Sequence, residues 1–180
     1  MEKENNDSTM TKSSFWANLF KTPTKKDDLE DVLISMAPFK NLDHKYFKML
    51  FKLIHNRAYA ANEYIFMQND PGIGLYLIIK GEVLITQETE DGERFDLANL
   101  EKSDFFGELA LLDEETRSAS AIAMKESQLA VIFKPDLDEF VEAHPKEGIK
   151  ILRGISQIIA TRLRNLNQDY LSLYNRIRTK

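Results

Sequence analysis

A glycine, a carboxylate and an arginine stand out in the stretch FGELALLDEETRSASAIA, residues 106–123. Gly107 and Glu108 precede the apolar run Leu109-Ala110-Leu111-Leu112, and Arg117 follows among the small residues Ser118 and Ala119. If ELALL forms one helical turn, the amides near Leu109 and Ala110 have no intrahelical partner and suit an anion such as a phosphate. Gly107 lets the backbone come close with no side chain in the way. Arg117 adds a charge-assisted bond to an anionic oxygen; Ser118 can donate another, and Ala119 keeps the floor open. Glu108 repels an anion, so its sensible chemistry is to accept from a hydroxyl such as that of a ribose. A ligand carrying both an anion and a vicinal hydroxyl would use the whole set. The same spacing also admits a plain structural ion pair between Glu108 and Arg117. The acidic triplet Asp113-Glu114-Glu115 opposes an anion unless those side chains face water.

Such a loop needs a scaffold, and the chain from about Tyr59 supplies one. EYIFMQ, GLYLIIK, EVLITQE, RFDLANL, SASAIAM and QLAVIFK are short β-prone runs separated by NDPG, KG, EDGE and EKSD. TEDGER reads as a hairpin loop turning at Gly92. Many short strands at this rhythm predict a jelly roll or related barrel. Two helices precede it. LEDVLISMA stops before Pro38, and Asp43 caps HKYFKMLFKLI, whose apolar positions 46, 47, 50, 51 and 54 share a face. Helix returns at Pro135, and Pro145 opens a longer one. In that helix Leu163, Leu166, Tyr170, Leu173 and Ile177 follow a 3-4-3-4 spacing, a coiled-coil seam of about two heptads, which predicts a partner helix, most simply from a second copy. The domain reading is a tail over 1–27, a barrel with flanking helices over 28–145, and a long C-terminal helix over 146–180.

Composition narrows the function classes. Apolar residues make up 43% and charged residues 29% of 180, a globular balance, and cysteine is absent, so no disulfide or thiolate metal site exists. The net charge of −5 argues against generic nucleic-acid binding. MEKENNDSTM is the wrong composition for a secretory signal, and no apolar run approaches the roughly 20 residues that span a bilayer, so a cytoplasmic protein is expected. Within the tail, SSFWANLFK places Phe15, Trp16, Leu19 and Phe20 at helical spacing. This segment (residues 13–26 with its flanking lysines) reads first as a helix docked on the protein's own body and second as an anchor for a partner or membrane. His44, His55 and His144 lie in unrelated segments. No catalytic set and no metal-ligand spacing is present, so an enzyme is not expected. The basic positions Arg162, Arg164, Arg176, Arg178 and Lys180 read as a solvated helix face.

FGELALL followed by RSASAIA resembles the phosphate-binding cassette of the cyclic-nucleotide-binding domain family, which includes catabolite activator proteins, kinase regulatory subunits and channel gating domains. YAANEYIFMQNDPGIGLYLIIKGEVLI, LEKSDFFGE and HPKEGIKILRGISQIIATRLRNL extend the likeness over roughly residues 35–167. The resemblance implies an α+β fold, a β jelly-roll (double-stranded β-helix) barrel flanked by N-terminal helices and a long C-terminal helix. It implies a site built from Phe106, Gly107, Glu108, Leu109, Ala110, Arg117, Ser118 and Ala119. There Glu108 would take the ribose 2′-hydroxyl, Arg117 the cyclic phosphate, and backbone groups would complete the cradle. The long helix would cover the base near Leu166 and Asn167. Asn62 and Asn69 stand where the family has glycine, and asparagine tolerates a left-handed backbone best among the other residues. Ser103 and Thr116 also depart from the family pattern without removing a ligand contact.

These readings predict a sensor for cyclic AMP or cyclic GMP, with cyclic AMP favoured on family prevalence. It would be a homodimer through the C-terminal helix, signalling to a separate protein effector. No helix-turn-helix module follows the long helix, so DNA binding is not expected. The competing expectation is a degenerate barrel that serves as a constitutive dimeric scaffold without ligand.

Overall fold

The computed structural model describes residues 26–112 and 115–178. The aromatic segment at Phe15–Phe20, Asp113, Glu114 and Lys180 lie outside the described residues. Two helices, α1 (Lys26–Ser35) and α2 (His44–Phe51), lead into strands β1 (Ile54–Tyr59), β2 (Tyr64–Phe66), β3 (Gly74–Lys80), β4 (Val83–Glu88), β5 (Arg94–Leu100) and β6 (Phe105–Phe106). A single helical turn, α3 (Leu109–Leu112), interrupts the strands before β7 (Ser120–Ala123) and β8 (Ser127–Phe133). Helices α4 (Lys134–Ala143) and α5 (Pro145–Arg178) complete the chain.

The strands form two four-stranded antiparallel sheets, ordered β1-β8-β3-β6 and β2-β7-β4-β5. Side-chain alternation sorts β3 into two layers. Tyr76 and Ile78 join Val83, Phe106, Ala121, Leu129 and Val131 between the sheets. Leu75, Leu77 and Ile79 face the other way and pack with Leu33, Phe47, Leu50, Phe140, Ile151 and Ile155 from the helices. Both faces of β3 are therefore covered, which is why GLYLIIK is an unbroken apolar run. The opposite extreme is β5, an edge strand exposed along nearly its whole length.

Two sequence expectations change here. The helix expected to run to Ile54 ends at Phe51, because Ile54 pairs with Ile132 and opens β1. Strand β1, IHNRAY, was hidden by its polar composition, and the sheet recruits it through its pairing with β8. His55 accordingly lies in a strand, 3.6 Å from the Asp136 carboxylate. At the end of α4 the His144 backbone N–H donates to Phe140 O while its ring packs edge-on against Tyr46 and Phe140. Asn62 and Asn69 adopt the left-handed backbone at φ +64° and +69°, and Ser103 does so at +73°.

Helix α5 crosses the turn after α1 at Gly154. A Cβ there would lie 2.5 Å from Pro38 Cα and 2.6 Å from Ala37 O, both backbone atoms that cannot swing aside. Gly154→Ala therefore sets a helix-propensity gain of about 1 kcal/mol against an overpacking cost of about 1–3 kcal/mol. The clash is expected to win, lowering the urea midpoint of unfolding. A raised midpoint would show that the helix and the turn are not in this close contact.

Candidate functional site

Arg117 is placed by its backbone before its side chain does anything. Its N–H donates to Asp70 O and its carbonyl accepts from Asn69 N–H, each at 2.8 Å, beside a lone antiparallel bridge between Pro71 and Thr116. The left-handed Asn69 turns the β2–β3 connection so that both bonds form. The guanidinium then points inward, with the residue only 3% exposed. Nη1 donates to Gly107 O at 2.9 Å and Nη2 to Gly74 O at 2.8 Å, tying the start of the cassette to the start of β3. The guanidinium also lies 4.3 Å from the centre of the Phe66 ring and 5.5 Å from that of Tyr76. Nε is buried with no hydrogen-bond partner among the described residues. Burial lowers the arginine pKa, opposed by nearby Tyr76, Asp70 and Glu108. Burial likewise raises the Tyr76 hydroxyl, while Arg117 and Arg57 pull it back down.

Gly107 carries φ +78°, and a Cβ on it would meet Arg117 Nη1 at 2.7 Å. Glycine is thus required twice, for the backbone turn and for the approach of the arginine. Glu108 follows and is 6% exposed. It does not pair with Arg117. Its Oε1 instead accepts from Arg162 Nη1 at 2.7 Å, and Arg162 Nη2 donates to Phe105 O at 2.5 Å. Arg162 belongs to α5, so the carboxylate next to the cassette glycine is held by the long helix. The expectation that Arg162 lies on a solvated face is corrected here: a buried carboxylate needs a cation, and this one is in reach.

The other expected site residues are distributed as follows. Phe106 is buried between the sheets and stacked on Tyr76, with ring centres 5.3 Å apart. Leu109 and Ala110 begin α3, where N–H groups have no partner within the helix. Leu109 is exposed, and Lys134 Nζ donates to Leu111 O at 3.1 Å, anchoring the far end of the same turn. Ser118 is exposed and Ala119 is buried. Leu166 and Asn167 lie about one helical turn beyond Arg162 and are both exposed. Sequence reasoning missed Arg162, Gly74, Phe66 and Tyr76. The unpaired charge of Glu108 was the one available pointer to Arg162, whereas Gly74 contributes only a carbonyl and left no signal.

Arg117 also lines a cavity of about 340 Å³, whose walls include none of the cassette residues Phe106–Leu112, Ser118 or Ala119. No group of metal-ligating side chains occurs among the described residues, and none of their helices is long and apolar enough to cross a membrane.

Arg162→Ala would strip Glu108 of its cation. Because Arg162 is 38% exposed, water screens part of the pair, and the expected loss is about 1–3 kcal/mol. Urea unfolding reads that loss, and amide exchange in α5 around Ile158–Leu166 is expected to quicken. Unchanged stability and exchange would mean that the pair neither stabilises the fold nor holds the helix.

Comparison with known proteins adds a second line of observation. Residues 56–144 match the family model described as cyclic nucleotide-binding domain. The chain is 32% identical over 136 residues to the cyclic AMP receptor protein of Thermus thermophilus, covering 74% of this chain and 61% of that protein. It is 25% identical over 146 residues to human cGMP-dependent protein kinase 2, covering 81% of this chain and 18% of the kinase. A solved cyclic nucleotide-binding domain from Methylobacillus flagellatus shares the fold at a TM-score of 0.72 and 23% identity, covering 81% of this chain and 82% of that one. The chain thus spans less than two thirds of the length of these curated relatives.

Proposed function

Since the chain belongs to the cyclic nucleotide-binding domain family through residues 56–144, a family of regulatory proteins, we propose that it is a sensor that binds a cyclic purine nucleotide at the cassette and reports occupancy through α5. The observation that carries this reading is the Glu108–Arg162 bond at 2.7 Å, because it joins the cassette to the long helix α5.

The residues present suit the ligand. Arg117 is a buried cation whose Nε–H is unused, and Gly107 leaves room beside it. In this reading Arg117 pairs with the cyclic phosphate, and backbone groups at Leu109, Ala110, Ser118 and Ala119 complete the cradle. Phe106 forms the wall behind them. Glu108 accepts from the ribose 2′-hydroxyl. That new donor competes with or reorients the Arg162 contact, so α5 shifts and brings Leu166 and Asn167 toward the base. Such a shift acts as a switch only if the nucleotide binds the two helix positions with different affinity. Cyclic AMP is favoured over cyclic GMP on family prevalence alone, since relatives named for either nucleotide reach 32% identity.

Calorimetric titration with cyclic AMP and cyclic GMP tests the binding. Saturable heat is expected, weakened by at least ~2 kcal/mol in Arg117→Ala, the scale of a lost charged hydrogen bond. Arg117→Lys, which keeps the charge but not the fork, controls for folding. No heat with either nucleotide on a folded protein would leave the scaffold reading in its place.

The outer part of α5 supports the dimer. Leu163, Leu166, Tyr170, Leu173 and Ile177 are each 55–68% exposed, a continuous apolar stripe on a helix that has left the barrel behind. We assign it to self-association, in which a second copy of the stripe covers the first and gives the α5 shift a consequence at the interface. The pair Leu166→Asp and Leu173→Asp should convert a dimer to a monomer in sedimentation velocity while leaving the barrel's melting transition in place. A wild-type chain that sediments as a monomer at tens of micromolar or above would remove the seam from the account.

A further inference from the structure

The cavity beside Arg117 is separate from the cassette, and its position follows from topology. Strands β1 and β2 are each the outer strand of a sheet, so the space between the sheets opens where those two edges face one another. Arg57 and Tyr59 line it from β1, Phe66 from β2, and Tyr76 from β3, with Arg117 shared with the cassette. Its volume of about 340 Å³ lies at the small end of the range for small-molecule sites.

Three features are not explained by packing alone. Arg57 occupies the strand face shared by Tyr59, and its strand partner Leu129 also faces the space between the sheets, where an apolar side chain would be the ordinary choice. Arg117, 3% exposed, carries a buried Nε–H with no acceptor among the described residues. Both cations act on one group, the Tyr76 hydroxyl. An inward charge on an edge strand discourages edge-to-edge pairing. That accounts for Arg57; the buried Nε–H of Arg117, beside the Tyr76 hydroxyl, borders this cavity as well as the cassette and remains a donor for an anion on either side.

We propose that this cavity binds a small aromatic carboxylate, its ring against the wall that Tyr59, Phe66 and Tyr76 form and its single negative charge between Arg57 and Arg117. Flat aromatic walls select a flat ring, since offset or edge-on ring contacts add to simple apolar burial. The two guanidinium groups match a carboxylate, which a planar fork can hold through two bonds. Asp70 sets the charge. Its carboxylate also lines the cavity, with Oδ2 accepting from Met67 N–H at 2.7 Å, and it penalises a phosphate dianion more than a monoanion. Arg117 is shared with the cassette, but Arg57 and Ile73 belong to the cavity alone, so its occupancy is read apart from nucleotide binding.

The test uses 2-naphthoate on the full chain without nucleotide, followed by NMR of aromatic side chains. Saturable shifts are expected at Tyr59, Phe66 and Tyr76. The neutral isostere 2-naphthamide should bind at least roughly tenfold more weakly, as should 2-naphthoate to Arg57→Gln, each lacking one charged hydrogen bond. Ile73 lines the cavity and is 45% exposed, so Ile73→Trp can fill the entrance without disturbing the core, and the urea midpoint verifies its fold. That variant should lose the shifts. Absent shifts in the wild type, equal affinity for the amide, or shifts at Leu109, Ser118 and Ala119 that persist in Ile73→Trp would each overturn the assignment.

Discussion

The rest of the structure depends on a guanidinium held inside a barrel by two carbonyl groups. Arg117 bonds Gly107 O and Gly74 O, so one side chain fastens the cassette to β3. Burying a charge this deeply is costly unless it is well partnered. Here the cost is met by two carbonyl dipoles, the faces of two aromatic rings and a backbone clasp to Asn69 and Asp70. Lysine could replace the charge but not the geometry. A point-like ammonium cannot reach two carbonyls in different directions while lying flat on Phe66. An arginine so placed fixes where Gly107 can be, and Gly107 in turn fixes the start of α3 and the position of Glu108.

From that anchored cassette, the Glu108–Arg162 bond leads out to α5. Glu108 is almost fully buried while Arg162 is about one third exposed, an asymmetry that matters. The carboxylate is immobile and has few alternatives, whereas the guanidinium can trade its protein acceptors for water at modest cost. In the sensor proposed, a perturbation at Glu108 would therefore be expressed as motion of α5 rather than as rearrangement of the barrel. Helix α5 is suited to carry it. It is anchored at its base by Ile151, Gly154 and Ile155, and its side chains past Arg162 are exposed. A 34-residue rod held at its base and by the Glu108–Arg162 pair near its middle would, in the sensor proposed, turn a small local change into a larger displacement at its tip.

Much of this was legible in the sequence where local chemistry and global structure agree. The apolar run of β3, the hairpin at TEDGER and the helix starts at Pro135 and Pro145 follow rules of period and turn residues, and the structure has them where those rules put them. Asn62 and Asn69 in left-handed turns likewise follow from what asparagine tolerates. What stayed hidden depends on contacts distant in sequence. Strand β1 is polar, and only its pairing with β8 makes it a strand. The two-residue β6 is too short for any period to show. At the site, Glu108 and Arg117 were visible as a charged pair of residues, but their true partners, Arg162 and two backbone carbonyls, lie 54, 10 and 43 positions away. Spacing along the chain favoured the pair that does not form.

Arg117 also partitions the space between the sheets. On one side its Nη1 faces the Gly107 carbonyl and the cassette; on the other its flat face meets Phe66 and Tyr76 and the cavity at the β1 and β2 edges. A barrel needs no such partition for stability, since apolar side chains would fill the same volume without a desolvation cost. The charge is therefore better understood as serving the spaces it borders than the core that surrounds it. Its hydrogen bonds leave capacity in both directions, because each terminal nitrogen uses one donor on a carbonyl and Nε uses none. An anion arriving on either face would draw on that reserve and, through the Gly107 and Gly74 carbonyls, alter the setting of the cassette felt on the other.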